Sequence, residues 1–106
     1  VEMLVQVNRA GLLALHLGRL KDRGEITPAQ VSFGKLDNVR QALDVAREAR
    51  SLLGANGITL EYSVIRHMAN LETVFTYEGT NEIHSLVMGQ AITGLNTFTL
   101  GAEGRD

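Results

Sequence analysis

The sequence predicts an all-α protein, an antiparallel helical bundle. Three observations carry that prediction. Apolar residues recur at three- and four-residue spacing over long stretches, and strand-like alternation never lasts more than a few residues. The third is a single Pro with only three Phe and two Tyr, a composition unlike that of a loop-rich β protein. The 106 residues suffice for one domain but are few for an enzyme that must enclose a large cofactor. The domain is expected over residues 1–100, with a disordered polar tail from Gly101 to Asp106.

The first helix is predicted from Val1 to about Asp22. Its polar residues Glu2, Gln6, Arg9 and His16 fall near one stripe, and the rest is mostly apolar, so burial on several sides is expected. Arg23-Gly24-Glu25 closes it. The second helix opens with Thr27-Pro28-Ala29-Gln30, a capping box with Pro at the first helical position. Leu36, Val39, Leu43, Ala46, Ala49 and Leu53 form its apolar stripe, and Gly54 stops it. Lys35, Asp37, Arg40, Asp44, Arg47 and Glu48 lie mostly off that stripe and read as a solvated face. A short third helix is expected from Glu61 to Met68. A fourth starts near Thr80, with Ile83, Leu86, Val87, Ala91, Gly94, Leu95 and Phe98 on its inward face. The bundle core should include Leu43, Ala46, Leu53, Ile83, Leu86, Val87 and Leu95.

Composition removes several function classes. A net charge of -2 leaves no electrostatic footprint for nucleic acid or an anionic membrane. Without cysteine there is no disulfide framework, thiolate metal site or cysteine nucleophile. No basic n-region precedes an apolar core, and the apolar stretch from Ala10 to Leu17 is too short to cross a bilayer. The chain begins inside an amphipathic pattern and is expected to be part of something longer. His67 and His84 stand 17 residues apart with no carboxylate cluster at ligand spacing, so no metal site is expected.

Two loops carry possible chemistry. In Leu53-Gly54-Ala55-Asn56-Gly57, glycine permits positive φ and close approach of backbone N–H groups to an anion; the same residues also suit a plain helix C-cap and turn. In Thr76-Tyr77-Glu78-Gly79-Thr80-Asn81, Glu78 either complements the dipole of the following helix or does chemistry, and Thr80 is first of all an N-cap. Local physics leaves both loops open.

Three motifs in order narrow the choice. Tyr77-Glu78-Gly79-Thr80 followed by Ile83 resembles the YEGT-x-x-I signature of acyl-CoA dehydrogenases. Gly54-Ala55-Asn56-Gly57 sits where that family places a G-G-x-G loop, and Glu61-Tyr62, Val64 and Arg66 resemble its E-Y-x-V-x-R helix. Similarity to the family's C-terminal helical domain extends from the first helix to Phe98. Gly18-Arg19-Leu20-Lys21-Asp22, Val64-Ile65-Arg66-His67-Met68, Asn70-Leu71-Glu72, Ile83-His84 and Ala91-Ile92-Thr93-Gly94 are similar to the glutaryl-CoA dehydrogenase branch. Ala55 departs from the second glycine of the pattern, and Ser51 stands where a flavin-contacting Gln is frequent.

The resemblance implies a flavoprotein that uses FAD. A glutamate of this family removes the α-proton of an acyl-CoA while the β-hydrogen leaves as hydride to the flavin, and Glu78 matches that glutamate. Burial of a carboxylate against acyl chain and flavin makes it a stronger base. Gly79 is implied to pass close to substrate. Ser51, Leu52, Leu53, Gly54, Ala55, Thr80 and Phe98 match flavin-contacting positions, some of them serving a neighbouring subunit. In the glutaryl-CoA branch the oxidised product loses CO2 to give crotonyl-CoA. The resemblance further implies electron-transfer flavoprotein as acceptor, a homotetramer, and a bacterial cytoplasmic or eukaryotic mitochondrial-matrix location. The isolated chain is expected to be inactive. Two other readings remain, another short- or branched-chain acyl-CoA substrate and a non-catalytic helical assembly or interaction module. The latter has no use for Glu-Gly-Thr before a helix.

Overall fold

Helix α2 (Pro28–Leu52) is the axis on which everything else is laid. The computed structural model describes residues 1–99, and the tail predicted from Gly101 to Asp106 lies outside them. Helix α1 (Glu2–Asp22) precedes α2. A 3₁₀ turn (Gly54–Ile58), α3 (Val64–Thr76) and α4 (Asn81–Thr93) follow it. The elements among the described residues are all helical, as the periodicity predicts.

Each long helix packs on α2 in the opposite direction. Asn38 Nδ2 donates to the Ala10 carbonyl at 3.2 Å, seating the middle of α1 on the middle of α2. Arg40 meets Asn81 and Ser32 meets His84, so α4 descends α2 as its own numbering rises. Helix α3 starts beyond the 3₁₀ turn at the C-terminal end of α2 and returns to Tyr77, whose carbonyl receives the Lys35 ammonium. Helices α3 and α4 therefore run the same way along α2, broken only at Tyr77–Thr80. That break puts Glu78 in a gap between two helices.

The start of α2 follows its sequence closely. Thr27 Oγ1 accepts from Gln30 N at 3.3 Å while Gln30 Oε1 accepts from Thr27 N at 2.9 Å, completing the capping box. The predicted stripe faces inward: Ala46 is buried, and Leu36, Val39, Leu43, Ala49 and Leu53 are half-buried. Helix α3 is longer than predicted and begins later, residues 61–63 forming a turn. Its true apolar stripe is Val64, Ile65, Met68, Leu71, Val74 and Phe75, all half-buried. The polar residues Asn70, Glu72 and Thr73 between them occupy the outer face and do not stop the helix.

Three expectations fail. Helix α4 ends at Thr93 because Gly94 takes a left-handed conformation (φ 73°). Asn96 Oδ1 then captures the N–H groups of Phe98 and Thr99, which turns the chain away from a helix. Leu95 and Phe98 are accordingly exposed, and Ile83 and Leu86 are more exposed than a core allows, although Val87 is half-buried. Helix α1 packs on α2, and among the described residues Leu4, Val5, Val7, Leu12 and Leu15 are exposed instead of being buried on several sides.

The molecule is long and flat, 62 × 35 × 21 Å, with a radius of gyration of 17.6 Å. A compact domain of this length would have a radius of gyration of roughly 13 Å. With one axial helix and three satellites, much apolar surface is left uncovered among the described residues. No helix of the described residues is long and apolar enough to cross a membrane.

Candidate functional site

Helix α3 stops where Tyr77 becomes extended (φ -84°, ψ 162°), its N–H still bonded to the Thr73 carbonyl at 2.9 Å. Helix α4 starts where extended Thr80 caps it, Oγ1 accepting from Ile83 N at 3.2 Å. The two residues between complete the bend with positive φ, 52° at Glu78 and 95° at Gly79. Glycine takes such a φ freely, whereas for glutamate it is strained by about 1–3 kcal/mol. Glu78 is the non-glycine residue with positive φ among those described. Strain of this kind persists only where the surroundings over-determine it.

Those surroundings come from α2. Lys35 Nζ donates to the Tyr77 carbonyl and, at 2.6 Å, to the Gly79 carbonyl, with the Tyr77 ring centroid 5.6 Å away. Arg40 Nε donates to Asn81 Oδ1 at 2.7 Å, fixing the first residue of α4. His84 Nδ1 pairs with Ser32 Oγ at 3.0 Å, and the other edge of its ring lies under Gly79. A Cβ at Gly79 would sit 2.8 Å from His84 Nε2, so glycine is required there by space as well as by φ. The cavity beneath the loop, lined by Lys35, Leu36, Val39, Phe75, Asn81 and His84, has about 10 Å³. That is at most one water. A ligand must therefore approach from the outer side, where the Glu78 carboxylate is exposed and has no hydrogen bond among the described residues.

The second loop is built differently. Leu53 N bonds the carbonyls of Ala49 and Arg50, and Gly54 turns with φ 59° into the 3₁₀ turn. Gly57 is buried against the Arg50 carbonyl, where a Cβ would collide with that oxygen. Asn56 O accepts from both Thr59 N and Thr59 Oγ1. Ala55 is exposed and not in the positive-φ region, so replacing the family's second glycine by alanine strains nothing. Ser51 and Leu52 are exposed and Leu53 half-buried.

The structure brings Glu78, Gly79 and Thr80 together and keeps Ser51 to Ala55 apart from them. Lys35, which touches the Glu78 loop, precedes Ser51 by 16 residues on α2, roughly 24 Å along the helix. Phe98 lies beyond the end of α4, which runs away from Ser51 along α2, and is exposed. The candidate flavin contacts of one chain thus do not form one pocket. Reading the charges of α2 as a solvated face missed Lys35 and Arg40. Lys35 stands three residues after buried Ser32 and four before half-buried Val39, so the helical register already placed it on an inward stripe. Nothing local marked His84 or Asn81 as supports of the loop.

Comparisons with known proteins bear on this geometry. Residues 1–93 match the model of the acyl-CoA dehydrogenase C-terminal domain. The short-chain-specific acyl-CoA dehydrogenase of Megasphaera elsdenii is 31% identical over 91 residues, covering 86% of this chain and 24% of that protein. A crystal structure of glutaryl-CoA dehydrogenase from Mycobacterium smegmatis is similar with a TM-score of 0.85 at 59% identity, over 90% of this chain and 24% of that one. A glutaryl-CoA dehydrogenase from the same organism in complex with FADH2 gives 0.86 at 56% identity, over 92% and 25%. The chain spans about a quarter of the length of these relatives.

Proposed function

The chain belongs to the acyl-CoA dehydrogenase family as its C-terminal domain, and on that premise we propose that Glu78 is the base of an FAD-dependent α,β-dehydrogenation of an acyl-CoA thioester. The observation that carries this reading is the strained, exposed carboxylate of Glu78, held in a gap between two helices by side chains of a third. A charge serving only the α4 dipole needs neither the positive φ nor the brace. The loop leaves its outer side to the ligand, and packing of an acyl chain there excludes water from the carboxylate. Glu78 takes the α-proton, and Gly79, with no side chain, lets substrate come near the backbone. Flavin, when bound, supplies the hydride acceptor for the β-hydrogen.

The exposed surfaces of Ser51, Leu52, Gly54, Ala55 and Phe98 fit a cofactor with an apolar ring system and an anionic pyrophosphate. Leu53 and Thr80 contribute from half-buried positions. Because the two groups lie at different places along α2, one copy contributes Thr80 beside its own Glu78 and a second copy contributes Ser51 to Ala55. A homotetramer provides that second copy and covers the apolar face of α1. The glutaryl-CoA dehydrogenase identity of 59% favours glutaryl-CoA as substrate, with loss of CO2 to crotonyl-CoA. Electron-transfer flavoprotein is the proposed acceptor. The bacterial cytoplasm or the mitochondrial matrix is the proposed location.

The test is anaerobic mixing of the intact flavoprotein with acyl-CoA substrates. Glutaryl-CoA should bleach the flavin and release crotonyl-CoA and CO2. Bleaching by butyryl- or isovaleryl-CoA alone would move the substrate within the family. No bleaching by any acyl-CoA would refute the enzyme reading.

A further inference from the structure

We propose that Lys35 positions Glu78 for proton abstraction, its ammonium gripping the carbonyls of the residues on either side. The proposal rests on the reading of Glu78 as the base. The two ends of the loop are fastened without Lys35, at Tyr77 by the last hydrogen bond of α3 and at Thr80 by the cap of α4. Only Glu78 and Gly79 remain free to relax, and relaxation would release the unfavourable φ of Glu78. Lys35 and His84 are the side chains that oppose it. His84 blocks the space under Gly79. Lys35 ties down both neighbouring carbonyls and lies against the Tyr77 ring.

Plain helix capping does not account for this geometry. A lysine near a helix C-terminus commonly satisfies the last carbonyls, which explains a bond to Tyr77. The bond to Gly79 lies beyond the helix and serves the bend alone. The charge of Lys35 is not spent on a carboxylate either, since the ion pair found among the described residues is Arg23 with Glu25. Half-buried on the rigid axis of the fold, Lys35 is a strut from a fixed helix to a strained loop. Its removal should leave the loop attached and its carboxylate displaced.

The experiment is a double-mutant cycle in the intact flavoprotein, read by anaerobic flavin reduction. Lys35→Met keeps the stem and loses the donors. It should slow reduction on the order of 10²-fold, the cost of a misplaced reacting group, with acyl-CoA affinity unchanged. In a Glu78→Gln background the same substitution should add nothing to the slow residual rate, because residues acting as one unit are non-additive. A general structural role would slow both backgrounds by the same factor and would overturn the proposal. So would a normal rate in Lys35→Met alone. Should Lys35→Met fail to assemble, Lys35→Leu, which also lacks the donors, takes its place under the same criteria. If Glu78→Gln by itself reduces flavin normally, the base reading fails and the positioning role falls with it.

Discussion

The loops near the two ends of α2 are both exposed, both glycine-containing, and held by opposite means. At Tyr77–Thr80 the struts are long side chains reaching from α2, and the backbone they hold is strained at Glu78. At Gly54–Ile58 the struts are backbone groups, with Gly57 pressed against the Arg50 carbonyl, and positive φ falls on Gly54. The difference follows from what each loop presents. A loop that must aim one carboxylate tolerates strain and needs external supports. A loop that presents its backbone to a ligand keeps its side chains small and holds itself together. Substitutions should therefore break the first loop through function and the second through stability.

The largest expected effect is at Glu78. Glu78→Gln keeps shape and reach but removes the proton acceptor, so flavin reduction in the intact protein should slow by about 10² to 10⁴ or more. Substrate should still bind. A carboxylate serving only the helix dipole would instead lose roughly 0.3–1 kcal/mol of stability and leave turnover intact. Glu78→Gly adds a second arm. At φ 52° glycine is the unstrained residue, so this variant should be inactive yet gain about 1 kcal/mol of stability. A loss of stability would mean that Glu78 makes contacts that offset its strain.

At the other loop the ordering reverses. Gly57→Ala places a methyl on the Arg50 carbonyl, and overpacking of this kind costs roughly 1–3 kcal/mol. The melting temperature should fall and flavin should be retained less well. The chemical step of molecules that keep their flavin should be normal. A normal melt would show that the turn yields cheaply and that its shape is not fixed by Gly57. Slowed chemistry in flavin-loaded molecules would couple the two loops, against the separation seen along α2.

How far the two loops could be read from sequence differs for the same physical reason. The capping box at Thr27, the stop at Gly54 and the inward stripe of α2 are local, so a few neighbouring residues determine them. The self-contained Gly54–Ile58 loop was legible as a turn for that reason. The supports of the Glu78 loop come from Ser32, Lys35 and Arg40, each more than forty positions upstream of the residue it holds, and no periodicity rule pairs residues at that separation. Polar Asn70, Glu72 and Thr73 hide the spacing of Leu71, Val74 and Phe75, so the predicted α3 is too short. Apolar Leu95 and Phe98 keep the helical spacing past Gly94, so the predicted α4 is too long, whereas the left-handed Gly94 ends it.

The smallest effect tests whether Thr80 belongs to the functional loop or only to the helix after it. Thr80 and Thr27 cap their helices alike, Oγ1 accepting from Ile83 N at 3.2 Å and from Gln30 N at 3.3 Å. Changing either to Ala should cost about 1 kcal/mol, within a range of roughly 0.5–2. Each substitution removes one oxygen acceptor, and the bond from Thr27 N to Gln30 Oε1 survives in Thr27→Ala. Thermal melts of the two variants should therefore nearly coincide. The flavin spectrum should not coincide. If Thr80 touches the cofactor, Thr80→Ala perturbs flavin absorbance and Thr80→Ser, which keeps the oxygen, restores it, while Thr27→Ala leaves the spectrum alone. Identical spectra in all three variants would reduce Thr80 to a cap. The Glu78 loop would then meet the flavin only through the substrate it deprotonates.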